Sequence, residues 1–203
     1  MATGVATDTT LEAIVLAAGF GARFGGGKLT APWRGGVLLD GALAAAFAAP
    51  VRTVTVVWGA DTAVPEAAQA FAARTGAVPR LKLVNAERHA DGLSASLKAG
   101  IANVAPDATG VFVFLGDMPR IPFGVLASLA DAVVAGAPAA ATAFEGERGH
   151  PVLFSRELLP RLSELDGDRG AGGLLARLGD RLALIPAPDD GVLYDVDRPT
   201  DLA

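Results

Sequence analysis

A glycine-rich loop carrying two cations follows the first apolar segment of the chain. Residues 18–28 read AGFGARFGGGK and contain five glycines together with Arg23 and Lys28. Glycines let backbone N–H groups approach phosphate oxygens, and the two cations add positive charge. The loop is therefore predicted to bind a polyphosphate, the alternative being a solvated loop without a ligand. Its candidate nucleotide contacts are Leu16, Ala17, Ala18, Gly19, Gly21 and Gly25.

A second loop places an aspartate after another apolar segment. In the stretch Phe114–Pro119 the apolar segment is followed by a glycine and then by Asp117. Magnesium in phosphate chemistry commonly takes one or two carboxylates, with water and substrate phosphates completing its shell. We therefore predict that Asp117 binds Mg²⁺ and that it acts with Lys28 and Arg23 as the catalytic set. The alternative is that Asp117 only caps a turn.

The elements that must position these loops alternate along the chain. Short apolar segments with strand character alternate with helix-compatible segments, which predicts a doubly wound, mostly parallel α/β sheet of the Rossmann-like kind. Ligands of such sheets bind beyond the carboxyl ends of the strands, where both loops fall. The predicted strands are 12–17, 51–58, 81–85, 111–115 and 139–144, and the predicted helices are 37–47, 66–74, 94–103 and 125–134.

After Phe144 the regular alternation of strand and helix segments stops. Glycine and charge dominate 145–150, and shorter helical and extended segments follow, which predicts a small substrate-side elaboration of the same domain. The segment Val192–Asp197 is expected to be extended, so the carboxylates of Asp195 and Asp197 share one face.

Composition limits the classes of protein. The 203 residues carry a formal net charge of −5, with no cysteine and two histidines. This charge disfavours a nucleic-acid partner, and the missing thiols exclude disulfides and cysteine catalysis. Without a signal peptide or membrane span, we expect a cytoplasmic protein with no membrane partner, a flexible tail at 1–10 and one nucleotidyltransferase domain at 11–203.

Two familiar glycine motifs fit the first loop poorly. The phosphate loop of nucleoside triphosphatases fails at Ala22 and Leu29. The dinucleotide fingerprint fails because the last of its three glycines comes one residue late at Gly25, although Asp40 lies near the expected ribose-binding acid. An NAD(P)H-dependent reductase remains an alternative.

Seven segments in a fixed order resemble the molybdenum cofactor cytidylyltransferases, and together they extend over nearly the whole chain. The sequence segments that carry this resemblance are Leu16–Gly19, Arg23–Gly25 with Lys28, Gly92–Leu97, Gly116–Pro119, Arg148–Pro151, Gly167–Ala171 and Asp195–Asp197.

The resemblance implies an activity and its partners. It implies transfer of CMP from CTP to the phosphate of molybdenum cofactor (molybdopterin), with Mg²⁺ as cofactor, in the service of an apo-molybdoenzyme of the xanthine dehydrogenase class. Guanylyl-transferring relatives typically carry glycine at the position of Ala18, so Ala18 favours CTP. The alternatives are a related enzyme that uses GTP or another phosphate acceptor, and a noncatalytic molybdenum cofactor carrier.

The resemblance also suggests roles outside the two loops. Asn85, Ser94 and Ser96 are expected near the base or ribose, although serines at a helix start also cap helices. Arg148 and His150 are expected to line the acceptor pocket. Asp197 is expected to be a second metal ligand, with helix capping as its alternative. His89 receives no role.

Overall fold

The computed structural model describes residues 10–19, 21, 24–167 and 170–202. The expected tail at 1–10 therefore lies, apart from Thr10, outside the described residues. The strands are β1 (Leu11–Ala17), β2 (Pro32–Trp33), β3 (Gly36–Val37), β4 (Thr53–Trp58), β5 (Leu81–Asn85), β6 (Gly110–Leu115), β7 (Ala139–Phe144), β8 (Glu147–Ser155) and β9 (Leu182–Pro186).

Seven of these strands form one sheet in the described part of the chain, in the order β5-β4-β1-β6-β8-β7-β9, and β2 and β3 form a separate small hairpin. Strands β1, β4, β5 and β6 are mutually parallel, and β7 and β9 also pair in parallel. Strand β8 is antiparallel to both of its neighbours. The predicted doubly wound, mostly parallel α/β fold is confirmed.

Helices cover both faces of this sheet. They are α1 (Leu39–Ala48), α2 (Ala63–Thr75), α3 (Leu93–Ile101), α4 (Gly124–Val134), α5 (Leu159–Ser163) and α6 (Gly172–Ala176). Alternate residues of β1 divide between two apolar cores: Ala13 and Val15 pack with α1, α2 and α4, and Ile14 and Leu16 pack with α3, α5 and α6. This two-sided burial explains why the β1 sequence is a continuous apolar segment.

The order of strands reverses beside β1. The chain runs from β1 outward to β4 and β5, and then returns to place β6 on the other side of β1. Loops that leave β1 and β6 therefore diverge at their carboxyl ends and create a crevice, which is the usual ligand position in such sheets. The glycine loop and Asp117 follow these two strands.

The opposite, amino-terminal end of the sheet holds an ion cluster formed by Glu12, Arg52 and Asp107. Two guanidinium nitrogens of Arg52 donate to the two carboxylate oxygens of Asp107, both at 2.6 Å. The same side chain lies 3.0 Å from Glu12, which is 1% exposed. The hydrogen bonds from Arg52 lower the pKa of Asp107 to about 2. We call this group the amino-end cluster.

One sequence expectation needs correction, and one alternative loses its support. Residues 192–197 do not form a strand, because Asp190–Val192 is a 3-10 turn and 194–197 pair with no strand of the described chain. Asp40 is engaged within the fold, since it accepts hydrogen bonds from the Val37 amide and the Arg74 guanidinium. The ribose-binding role required by the reductase alternative therefore has no support. No helix among the described residues is long and apolar enough to cross a membrane.

Candidate active site

Lys28 is held at the end of the glycine loop by its neighbours. A glycine in the left-handed conformation, Gly27, precedes the 3-10 turn Lys28–Thr30, and Leu29 within that turn is buried. Gly21 is also left-handed, and a Cβ atom there would lie 3.0 Å from the Cβ of Lys28. The loop thus needs glycine where it passes the lysine, and the lysine side chain is only 10% exposed.

The Lys28 ammonium faces two carboxylates. Its Nζ donates to Asp117 at 2.7 Å and lies 3.7 Å from Asp197. Asp117 follows β6, whereas Asp197 lies some 80 residues later in the chain, so the fold joins three distant segments at one point. The side chains of Asp117 and Asp197 are 27% and 44% exposed, which leaves both accessible to a ligand.

Several contacts fasten the carboxy-terminal segment to the Asp117 loop. The Val196 amide donates to the carbonyl of Asp117 at 3.1 Å, and the Val196 side chain is fully buried. Arg120 pairs with Asp190 at 2.9 Å and lies over the ring of Tyr194. With Val196 turned into the core, its two flanking aspartates are held beside Asp117.

Asp195 adds a third carboxylate to this group. Burial raises the pKa of Asp195, and the negative charges of Asp117 and Asp197 raise it further. Lys28 acts in the opposite direction but does not outweigh them. We call Lys28, Asp117, Asp195 and Asp197 the Lys28 cluster; its carboxylates exceed the positive charge that Lys28 supplies.

This excess of carboxylate is the feature that fits a divalent cation. The oxygens of Asp117 and Asp197 converge on one ammonium group, so they already face a common positive charge. Among the described residues, no group of three or more side chains is placed to hold a metal ion by itself. A site of one or two carboxylates completed by phosphates and water is the arrangement that magnesium commonly takes.

A cleft of about 640 Å³ lies beside this cluster, and we call it the glycine-loop cleft. It contains most of the predicted nucleotide contacts, and Ser96 borders it from α3. His89, for which the sequence indicates no role, also lines it. The residues that line the glycine-loop cleft are Leu16, Ala17, Ala18, Gly19, Gly21, Lys28, Leu29, His89, Ala90, Gly92, Leu93, Ser96, Leu115 and Asp117.

Other predicted nucleotide contacts lie outside this lining. Gly25 is exposed, and its amide donates a hydrogen bond to the Gly21 carbonyl at 3.2 Å. Asn85 donates to the carbonyl of Gly59 at 3.3 Å. Ser94 is buried, and Gly92 rather than a serine side chain caps α3. Arg23, which was predicted as a catalytic residue, lies outside the described residues.

A second cavity of about 230 Å³ adjoins the cleft, and we call it the Arg148 cavity. It shares Leu16, Leu93 and Leu115 with the glycine-loop cleft, so the two are separated by a common apolar wall. Both predicted acceptor residues, Arg148 and His150, line it.

The histidine of the Arg148 cavity is electrostatically distinct. Burial lowers the pKa of His150 and the charge of Arg148 acts in the same direction, while the Val113 backbone and the Asp117 carboxylate oppose the change. The Nδ1 atom of His150 is buried without a hydrogen-bond partner among the described residues. Gly149 lets β8 pass close to the carboxy-terminal segment, because a Cβ there would lie 2.2 Å from the Val192 carbonyl oxygen.

Comparison with known proteins identifies the family of the chain. The family model of the MobA-like NTP transferase domain matches residues 13–182. The purine catabolism protein PucB of Bacillus subtilis is 30% identical over 196 residues, which cover 94% of this chain and 93% of PucB.

Solved structures give the same result. Rv0371c of Mycobacterium tuberculosis H37Rv superimposes with a TM-score of 0.80 at 28% identity, covering 96% of both chains. A manganese complex of Rv0371c superimposes with a TM-score of 0.69 at 26% identity, covering 88% of both chains. A nucleotidyl transferase from Methanothermobacter superimposes with a TM-score of 0.73 at 25% identity, covering 94% of this chain and 93% of the other.

The fold, the cleft at the reversal of strand order and these matches define a nucleotidyltransferase. More particularly, the chain belongs to the MobA-like NTP transferase family.

Proposed function

We propose that this protein transfers CMP from CTP to the phosphate of molybdenum cofactor and releases pyrophosphate. The observation that carries the proposal is the pair of adjoining cavities with the Lys28 cluster at one of them. A transfer reaction needs two ligands held side by side. The cleft suits a nucleoside triphosphate, and the Arg148 cavity suits an anionic acceptor.

The chain's own residues supply position and charge. Amides of the glycine loop and the Lys28 ammonium bind the triphosphate, and Arg23 is proposed to assist them. When phosphates arrive, Lys28 exchanges its carboxylate partners for phosphate oxygens. Asp117 and Asp197 would then hold Mg²⁺, which supplies neutralisation of the phosphate charge. That Rv0371c binds manganese supports a divalent ion here.

The reaction needs no base from the protein. A phosphate monoester has a second pKa of about 6, so near pH 7 it is largely dianionic and already nucleophilic. Its oxygen forms a bond to the α-phosphorus of CTP, and the bond from that phosphorus to the pyrophosphate oxygen breaks. Arg148 orients the acceptor phosphate. His150, whose pKa is lowered by burial, offers a polar contact from the lining of the Arg148 cavity.

The choice of substrates draws on the family resemblance and on one relative. Ala18 lines the cleft where guanylyl-transferring relatives typically carry glycine, which favours the smaller cytosine base. PucB is named as a purine catabolism protein. Xanthine is a purine, so an acceptor destined for an enzyme of the xanthine dehydrogenase class agrees with that name.

The first experiment is a thermal-shift screen with CTP, GTP, ATP, UTP and NADPH, each with and without Mg²⁺. A ligand that binds the native state raises its melting temperature, so we expect magnesium-dependent stabilisation greatest with CTP. Purified molybdenum cofactor and radiolabelled CTP then test transfer. Stabilisation by GTP above CTP would support the guanylyl alternative, binding of the cofactor without transfer the carrier, and a response to NADPH alone would refute the proposal.

Ala18→Gly is the matched variant for the choice of base. Removing this methyl group enlarges the cleft beside the base, so the ratio of kcat/KM for CTP to that for GTP should fall. An unchanged ratio would mean that another residue reads the base.

A further inference from the structure

His89 lies at the end of the glycine-loop cleft remote from the Lys28 cluster. It begins the 3-10 turn His89–Asp91 between β5 and α3, and its ring packs at Gly59, immediately after β4. Asp117 follows β6, two strand positions away across β1. Neighbouring strands are about 4.8 Å apart, so about 10 Å separates the two ends of the cleft. A nucleotide whose phosphates bind at Lys28 would reach the His89 end of the cleft with its base if it lay along the cleft.

The tautomer of the neutral His89 ring is set by a backbone contact. Nδ1 of His89 lies 2.9 Å from the carbonyl oxygen of Ala86. A carbonyl oxygen only accepts hydrogen bonds, so Nδ1 carries the hydrogen. In the neutral ring Nε2 is then an acceptor. The Ala86 amide bonds to Trp58 at 2.8 Å and its carbonyl also receives the His89 amide, which holds the turn in place.

The ring belongs to a closely packed wall. A Cβ atom at Gly59 would lie 2.8 Å from Cγ of His89 and 2.7 Å from the carbonyl oxygen of Ala18. Glycine at this position lets the histidine approach the end of β1. Asn85 donates to the Gly59 carbonyl and fastens the same wall from β5.

Few side chains of the cleft can distinguish one base from another. Among its described lining residues, only Lys28, Asp117, His89 and Ser96 carry polar side-chain groups, and the first two belong to the phosphate end. The hydroxyl of Ser96 can donate or accept a hydrogen bond, so it fits a base with either a donor or an acceptor at its edge. The imidazole with hydrogen on Nδ1 presents only an acceptor.

We infer that His89 is the residue that selects a 4-amino pyrimidine over a 4-oxo pyrimidine, by accepting a hydrogen bond at Nε2 from the amino group of cytosine. Uracil presents a carbonyl oxygen at the same position. This oxygen and Nε2 are both acceptors, so no hydrogen bond can form between them. The inference rests on the proposed nucleotidyl transfer and adds the means by which CTP is separated from UTP.

Three substitutions at His89 test this assignment in the full-length protein with Mg²⁺. His89→Leu removes the acceptor, His89→Lys replaces it with a donor, and His89→Gln keeps an acceptor at similar reach. Affinities for CTP and UTP are measured by calorimetry, which needs no acceptor substrate. Glu87→Leu is the matched control, because Glu87 is exposed two residues before His89 and does not border the cleft.

We expect the wild type and Glu87→Leu to prefer CTP over UTP by about tenfold, the usual value of one net hydrogen bond. His89→Leu should lose this preference, His89→Lys should reverse it, and His89→Gln should retain part of it. Equal binding of CTP and UTP by the wild type, or an unchanged ratio in His89→Leu and His89→Lys, would overturn the inference while leaving nucleotidyl transfer intact. If no nucleoside triphosphate binds, the proposed function fails first.

A second measurement is made on the wild-type protein, and a substituted protein serves only to assign the signals. The chain contains two histidines, so a long-range ¹H–¹⁵N spectrum of the wild type is simple to assign with His89→Leu as reference. We expect the neutral His89 ring to carry its hydrogen on Nδ1 and the Nε2 signal to move when CTP binds. Hydrogen on Nε2 in the free protein would overturn the inference.

Discussion

The two ends of the central sheet hold ion clusters that differ in the kind of cation and in the balance of charge. At the amino end, the planar guanidinium of Arg52 reaches the carboxylates of both Glu12 and Asp107, and two of its bonds are parallel. At the carboxyl end, the single ammonium of Lys28 lies among three carboxylates. A guanidinium satisfies two carboxylates in a fixed geometry, whereas an ammonium is a point charge that moves easily between partners.

The difference shows how the fold separates stability from binding. The amino-end cluster lowers the pKa of Asp107, so its charges stabilise the folded state. The Lys28 cluster raises the pKa of Asp195, so its charges oppose one another until more positive charge arrives. A bound cation would relieve the repulsion retained at the carboxyl end, and in this way a binding site gains affinity at the expense of the stability of the free protein.

The largest effect should come from breaking the Lys28 cluster. Asp117→Ala and Lys28→Ala should each reduce turnover by roughly 10²–10³-fold, as expected when a group that stabilises transition-state charge is lost. Their melting temperatures should separate them: Asp117→Ala relieves repulsion and should keep or raise the midpoint, whereas Lys28→Ala leaves carboxylates without their cation and should lower it. Lys82→Ala, which changes an exposed lysine on β5, is the control. Full activity in either cluster variant would refute the site.

The second prediction breaks the amino-end cluster. Arg52→Met leaves the buried Glu12 charge without its cation and should lower the free energy of unfolding by about 3 kcal/mol, measured by urea denaturation. The activity of the folded fraction should not change, because this cluster lies at the other end of the sheet. Adding Glu12→Gln should restore part of the stability. A loss of activity without a loss of stability would contradict the proposed separation of the two ends.

The third prediction sharpens the contrast through Asp195. Its pKa is raised on folding, so this carboxyl favours the folded state only while protonated, and its stabilising effect is lost as pH rises through the folded pKa. Asp195→Asn should therefore raise the melting temperature at neutral pH in metal-free buffer. The gain should vanish below the unfolded pKa of about 4, where the wild type is also neutral. A constant gain at every pH would show that charge is not its cause.

The smallest effect concerns Asp107, whose pKa is lowered on folding whereas that of Asp195 is raised. Its pKa of about 2 lies below the unfolded value, so the carboxylate stabilises the folded state above about pH 4 and loses this effect as pH falls to about 2. Asp107→Asn should be slightly less stable than the wild type at neutral pH and equal to it at the acid end. The difference is small because the side chain is 65% exposed and screened by water. Parallel acid-unfolding curves would contradict the assignment.

Local sequence was enough to predict the strands that carry the two main loops. Apolar segments that break into glycine predicted β1 and β6 within one residue of their observed bounds, and with them the neighbouring positions of Lys28 and Asp117. These features depend on residues adjacent in the chain and on the common geometry of parallel sheets. The predicted helix bounds were less accurate. Helix α2, for example, begins at Ala63 rather than at the predicted Glu66.

Contacts between distant segments decided the rest. The antiparallel direction of β8, the return of the carboxy-terminal segment to Asp117 through the Val196 amide, and the place of His89 in the cleft depend on partners far away in sequence. A single sequence states which residues are available for chemistry. Only tertiary packing determines which of them share a wall or a charge, because burial and electrostatic coupling are properties of neighbours in space.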